Sequence, residues 1–224
     1  LAGDGIRGVG VDFAPEMIQI ASESANRENL SLAQFHRTSI FDFDLSQPTY
    51  DCISANGFIE YISCEQLLQF VAMAHQALNE NGSLVLGSRN RLFNLFSLND
   101  FTSQELQANT AAILLNESVA LAMPGSLGEL LSLESLPMPS EERTQPNTGI
   151  DVSVRLQYTP LQLMKLLHSA GFQIVDLYPV HIHSVAPRFK ELYPQVHVEV
   201  STLLQAHALE HRELVAQASS FMIH

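Results

Sequence analysis

A chain of 224 residues that is 46% hydrophobic can enclose one sizeable core with elaborations, or two small domains. Its 24 acidic against 11 basic side chains give a net charge of −13, a sign that repels phosphate backbones and excludes nucleic-acid binding driven by electrostatics. Cys52 and Cys64, in apolar and helix-start settings, read as reduced thiols of a cytoplasmic protein rather than a disulfide framework. No apolar run reaches membrane length: the nearest, 111–123, is broken by Asn116 and Glu117, so no membrane partner is expected. The first residue is not methionine and no leader is visible, so the chain reads as cut at its front.

In chain order, GDGIRG at 3–8 has the G-x-G-x-x-G spacing of a dinucleotide phosphate loop. That loop needs a strand running in and a helix running out, and only Leu1 and Ala2 precede Gly3. The stretch therefore reads as a glycine-rich turn leading into a short strand, Val9–Phe13. Residues 15–26 follow as a helix, with Pro15 at its first position and Met17, Ile18, Ala21 and Ala25 as its apolar stripe. Strands are expected at 30–39 and 50–55. Ser63 and Gln66 form a capping box for a helix running to Asn79, and a strand follows at 82–88.

Residues 91–154 interrupt the rhythm. The segment 104–123 has helical character, and 124–149 is rich in Pro, Ser, Gly and Glu, the composition of a long loop or mobile lid. Regularity resumes with alternation at 151–157 and a second capping box, Thr159 to Gln162, whose helix Gly171 closes. A strand at 172–180, a long helix at 196–217 and a strand at 219–223 complete the pattern. Strands alternating with helices predict an α/β fold, an open doubly wound Rossmann-like sheet that binds ligands at the carboxyl ends of its strands. The division expected is one domain over 1–90 and 155–224, with 91–154 as a helical insert after strand five. The insert serves either as a lid or as a homodimer contact.

Residues just past strand ends are therefore the candidates. Asp12 can accept hydrogen bonds from two ribose hydroxyls, or cap the following helix. Here VGVDFAPEMIQIA resembles the second strand and helix of class I S-adenosylmethionine-dependent methyltransferases, which often read V-x-x-D-x-S-x-x-M-x-x-x-A. The resemblance implies that Asp12 holds the adenosyl ribose, that Phe13 packs on adenine and that Met17 lies nearby; Ala14 replaces the usual capping serine. FHRTSIFDFDL is similar to the third strand, where Ser39 and Ile40 stand in place of an aspartate and an apolar adenine contact. YDCISANGFIEYIS is similar to the fourth strand, with Asn56 and Gly57 passing the methionine part of the cofactor. Its exit differs from the Asn-Pro-Pro-Tyr of amino-group methylases of DNA and protein, which points to a small-molecule acceptor. LNENGSLVLGSRN resembles the entry to strand five, and the last two strands fit strands six and seven, seven being antiparallel between five and six. The family's glycine-rich loop after strand one is then expected ahead of residue 1.

The resemblance implies S-adenosyl-L-methionine as cofactor and methyl transfer to oxygen, nitrogen or carbon. His183, which with His181 follows strand six on one side of an extended segment, is the candidate general base by position. No third ligand accompanies that pair, so no metal site is expected. Arg89, Asn90 and Arg91 follow strand five and either bind an acceptor's carboxylate or phosphate or anchor the insert; Tyr158 is a further acceptor candidate. Two other functions compete: a nicotinamide oxidoreductase using Asp12 for its ribose, although no Tyr-x-x-x-Lys is present, and a methyltransferase-like subunit without catalysis.

Overall fold

The computed structural model describes residues 5–46, 49–123, 125–139 and 155–224. They divide into two compact units, Leu1–Thr49 and Tyr50–His224.

The first unit is a β-α-β turn of chain. Strand β1 (Gly8–Asp12) leads into helix α1 (Pro15–Arg27) and then strand β2 (Ala33–Arg37), which pairs parallel to β1 with Val9 opposite Gln34 and Asp12 opposite Arg37. Pro15 occupies the first turn of α1, where its missing N–H costs nothing, and Ala14 offers no side-chain cap. Gly5 stands at φ +83 ahead of β1, so the described part of GDGIRG is a turn feeding a strand; residues 1–4 lie outside the described residues. The expected apolar stripe is only partly inward. Ala25 is buried, whereas Met17 is 54% exposed and Phe13 49% exposed.

The second unit holds a four-stranded mixed sheet. Strand β3 (Tyr50–Ala55) pairs parallel with β4 (Leu78–Arg89); β4 pairs antiparallel with β6 (Ala218–Ile223), which pairs antiparallel with β5 (Leu177–Ile182). The order is thus β3-β4-β6-β5. Helix α2 (Cys64–Ala77) joins β3 to β4, opened by the reciprocal Ser63–Gln66 box. It ends two residues earlier than its periodicity predicts. Leu78 already pairs with Tyr50, the register then jumps so that Cys52 faces Ser83, and 79–82 bulge out between. Helix α7 (Pro160–Ser169) is capped by Thr159 and Gln162 as expected. At its end Gly171 adopts φ +96, its N–H bonding His168 O while the N–H of Phe172 bonds Leu167 O, a Schellman motif.

The core lies where α2 packs on β4 and α7 on β6. Leu67, Leu86, Leu161, Leu163, Met164, Leu177, Phe221 and Ile223 are almost wholly buried. Each such side chain contributes about 1.5–3 kcal/mol relative to exposure.

Two expected elements are redrawn. The strand expected at 172–180 runs from Leu177 to Ile182, because the Schellman turn and an edge contact of the Phe172 ring with His75 occupy the first residues. The long helix expected at 196–217 is two pieces, α9 (Pro194–Gln205) and a 3₁₀ segment Arg212–Gln217, and a short helix α8 (Pro187–Leu192) precedes them. Ala208, between them, is buried against Ile182 and Ala218, and that contact breaks the helix.

The insert is helical: α3 (Phe93–Ser97), α4 (Asp100–Gln107), α5 (Ala111–Ala122) and α6 (Leu127–Leu130). It packs within the second unit. The composition at 124–149 predicts mobility, but residues 125–139 are tied down. Gln162 Nε2 donates to Leu136 O and Pro137 O, Lys165 Nζ donates to Leu133 O, and Arg212 donates to Met123 O and Gly125 O. Residues 140–154 lie outside the described residues. No helix among the described residues is long and apolar enough to cross a membrane.

Candidate functional site

In the first unit the strand-end residues are held by local hydrogen bonds. Asp12 Oδ1 accepts from the N–H of Ala14 at 2.8 Å, so the carboxylate supports the entry to α1 without being its formal cap. No hydrogen bond to Oδ2 is formed among the described residues. Phe13 beside it presents half its surface. After β2, Ser39 Oγ accepts from the N–H of Phe41 and Ser39 O from that of Asp42, a tight turn that holds Ile40 half-buried. A strand-end carboxylate, an exposed aromatic and a half-buried aliphatic suit a ribose and an adenine face, so this donor set fits an adenosyl group.

In the second unit β3 delivers Asn56 and Gly57 to its carboxyl end. Gly57 turns the chain at φ +62, a conformation glycine adopts without strain. Asn56 Nδ2 donates to Ser54 Oγ, and its Oδ1 lies so close to Gly87 of β4 that a Cβ there would collide with it. Gly87 is what lets the Asn56 side chain sit at this exit.

The three candidates after β4 have different fates. Asn90 is 1% exposed and fully used: Nδ2 donates to Val215 O and Ala218 O, and Oδ1 accepts from Leu92 N–H. Arg91 makes a two-pronged bond to Glu105, Nε to Oε1 at 2.9 Å and Nη2 to Oε2 at 2.8 Å. Glu105 also accepts from Asn94 Nδ2 and Thr110 Oγ1, and Asn94 reaches Gln157. Asn90 and Arg91 thereby take the anchoring role of the two offered by the sequence. Arg89 makes no side-chain ion pair with any described residue. Tyr158 is 0% exposed and its hydroxyl has no partner among the described residues. Burial raises its pKa.

His181 and His183 do not share a face. The left-handed backbone at His181, φ 55, breaks the extended geometry, leaving His181 exposed and His183 half-buried. The His183 ring packs 4.6 Å from that of Phe93 and 5.1 Å from that of His197. Its Nδ1 is buried without a partner, as is Ser184 Oγ next to it. Burial, reinforced by Lys190, His197 and His181, pushes the His183 pKa down to about 4, so the ring is neutral at pH 7.

The structure adds acidic residues that the sequence reading passed over. Glu60, in the 3₁₀ turn Ile59–Tyr61 after β3, is only 7% exposed; burial raises its pKa while Arg89 and Arg155 oppose the rise. Its signal was a single charge inside the apolar run Phe58–Ile62. Glu117, on α5, accepts from the N–H of Leu161 at the start of α7, while its other oxygen is buried without a partner. Burial, opposed by the Leu161 N–H, Thr159 and Lys165, pushes Glu117 up to about 7. Nothing in helical spacing marks that contact.

With strand-end carboxylate, glycine exit and mixed sheet in place, the molecule has the class I methyltransferase fold. Residues 1–82 match the family described as Methyltransferase domain. Comparison with curated proteins finds no match. Among solved structures the chain is similar to the CcbJ methyltransferase from Streptomyces caelestis, with TM-score 0.53, 14% identity, and 99% of this chain and 75% of that one covered. It is also similar to the [4+2]-cyclase SpnF, with TM-score 0.52, 17% identity and coverage of 99% and 67%. With PKMT2 from Rickettsia typhi in complex with AdoHcy the TM-score is 0.49 at 12% identity, over 96% of this chain and 43% of that one. The chain spans less than half the length of several such chains.

Proposed function

We propose that this protein transfers a methyl group from S-adenosylmethionine to an oxygen, nitrogen or carbon of a small-molecule acceptor. The observation that carries the reading is Asp12: within the residues that match the methyltransferase model it ends a strand, with one carboxylate oxygen bonded to Ala14 N–H and no hydrogen bond to the other among the described residues. In this reading Asp12 accepts from the ribose hydroxyls, Phe13 and Ile40 cover adenine with Met17 nearby, Ser39 meets the adenine amine, and Asn56 and Gly57 pass the methionine end. The bound cofactor supplies a methyl group on a sulfonium, open to in-line displacement. The chain's part is to hold the acceptor in line and keep water out; His183, neutral at pH 7, takes the proton the acceptor sheds. Its Nδ1 is walled in, which leaves the other ring nitrogen to meet the acceptor.

The methyltransferase match favours this cofactor over a nicotinamide at Asp12. A second reading, a methyltransferase-like subunit without methyl transfer, has Ser39 in its favour, since a hydroxyl binds the adenine amine less strongly than a carboxylate. That a [4+2]-cyclase shares the fold supports keeping it. Calorimetric titration of the intact protein with S-adenosylhomocysteine and with NAD separates the readings. Binding of the first alone is expected; binding of NAD alone, or of neither, would overturn methyl transfer.

A further inference from the structure

Three segments of the second unit meet at the carboxyl ends of β3 and β4. The N–H of Leu156 donates to Glu60 O at 2.8 Å, tying the stretch 155–158 to the 3₁₀ turn after β3. Two residues on, the N–H of Tyr158 donates to Arg89 O and the N–H of Arg91 donates to Tyr158 O, with Asn90 and Tyr158 bridged in parallel. The same short stretch is therefore laced to Glu60 at one point and to Arg89 at another. This brings Arg155, Glu60 and Arg89 together without any of the three forming an ion pair within 4 Å among the described residues.

The arrangement is graded. Arg155 is exposed, its guanidinium 5.2 Å over the Tyr61 ring; Arg89 is half-buried; Glu60 is buried at the bottom. Both arginines act on the Glu60 carboxyl electrostatically but neither hydrogen-bonds it. Among the described residues neither arginine has a carboxylate partner in an ion pair. A guanidinium binds a carboxylate through two parallel N–H bonds, and a neighbouring aromatic face keeps it oriented. With Glu60 ionised, the trio carries one net positive charge, which suits a monoanion better than a phosphate dianion.

We propose that Arg89 and Arg155, on either side of the buried Glu60, recognise a carboxylate carried by the methyl acceptor, so that the substrates of this protein are carboxylic acids. The inference rests on the methyl-transfer reading and names its substrate class. Glu60 sets the charge of the site: it keeps the arginines from capturing a dianion and holds them apart.

The test uses the intact protein with saturating S-adenosylhomocysteine, whose own binding is measured first, and benzoate, hexanoate, their neutral amides and phenyl phosphate as probes. At least one carboxylate is expected to bind at least about tenfold more tightly than its amide. Arg89→Met and Arg155→Met should each remove that preference with S-adenosylhomocysteine affinity unchanged. Glu60→Gln should tighten carboxylate binding and let phenyl phosphate compete, an outcome a merely structural glutamate would not produce. Acids and amides binding alike, no acid binding while S-adenosylhomocysteine binds, or phenyl phosphate preferred by the unaltered protein would each overturn the proposal and leave methyl transfer standing. Failure of S-adenosylhomocysteine to bind would instead remove the methyl-transfer reading, and a carboxylate preference that persisted would then belong to some other chemistry at this site.

Discussion

Replacing Glu117 by Gln tests how the insert is held. Glu117 is one of the insert's contacts with the start of α7, and among the described residues it bonds there through one oxygen. Its folded pKa is about 7 against an ordinary 4.5, burial being the main cause. Because the folded value is raised, the folded state holds the proton more tightly than the unfolded chain. The stabilisation is fully present below about pH 4.5, declines as pH rises, and is gone once pH passes about 7. At about 1.4 kcal/mol per unit, the ionised carboxylate costs the fold on the order of 3 kcal/mol at pH 8. Glutamine keeps the carbonyl that Leu161 N–H needs and removes that charge, but leaves an amide NH₂ unpaired where Oε2 was, a loss of about 1–2 kcal/mol. Glu117→Gln should therefore be less stable than the parent at pH 4.5 and more stable, by about 1–2 kcal/mol, at pH 8.5. Thermal melts of both proteins across that range give the comparison, with about 2–4 °C per kcal/mol for a chain of this size. Two melting curves separated by the same interval at every pH would refute the argument, since the charge would then contribute nothing.

Three other outcomes are expected. Asp12→Ala should weaken S-adenosylhomocysteine binding by roughly 30- to 150-fold, about 2–3 kcal/mol from charge-assisted bonds to ribose; an unchanged dissociation constant would leave Asp12 with the Ala14 turn alone. Glu105→Gln should lower stability by about 3–5 kcal/mol, because it leaves the half-buried Arg91 without its carboxylate, and a denaturant titration with an unmoved midpoint would show that the pair is idle. If His183 is the base, the rate of methyl transfer should fall only as pH drops toward about 4; a limb near 6.5, or one that survives His183→Gln, would assign the proton elsewhere.

Much of the scaffold was readable because its cues are local. The boxes at Ser63 and Thr159, Pro15 at a helix start and Gly171 at a helix end each act within a few residues, and all stand where expected. What escaped the sequence depends on distant partners. The early start of β4 needs Tyr50 opposite Leu78, and the break after α9 needs Ala208 against Ile182 and Ala218. The composition of the insert does not show that Gln162, Lys165 and Arg212 bind its carbonyls from elements up to 89 residues away. Candidate residues followed the same rule. Positions after strands could be proposed from alternation alone, but that Asn90 is spent on Val215 and Ala218 depends on chain returning from far downstream.

The place of β6 has a bearing on how the molecule is made. Although β6 follows β5, α8 and α9 in the chain, it lies between β4 and β5, and β5 touches the sheet through β6 alone. During vectorial synthesis β5 emerges before the strand that joins it to the sheet. Until residues 218–223 arrive, one edge of β4 and the whole of β5 offer open N–H and C=O groups to any neighbour. The nascent chain is thus most exposed to mispairing and most dependent on chaperones in the interval between those two strands, and a ribosome stalled within α9 would display an unfinished sheet.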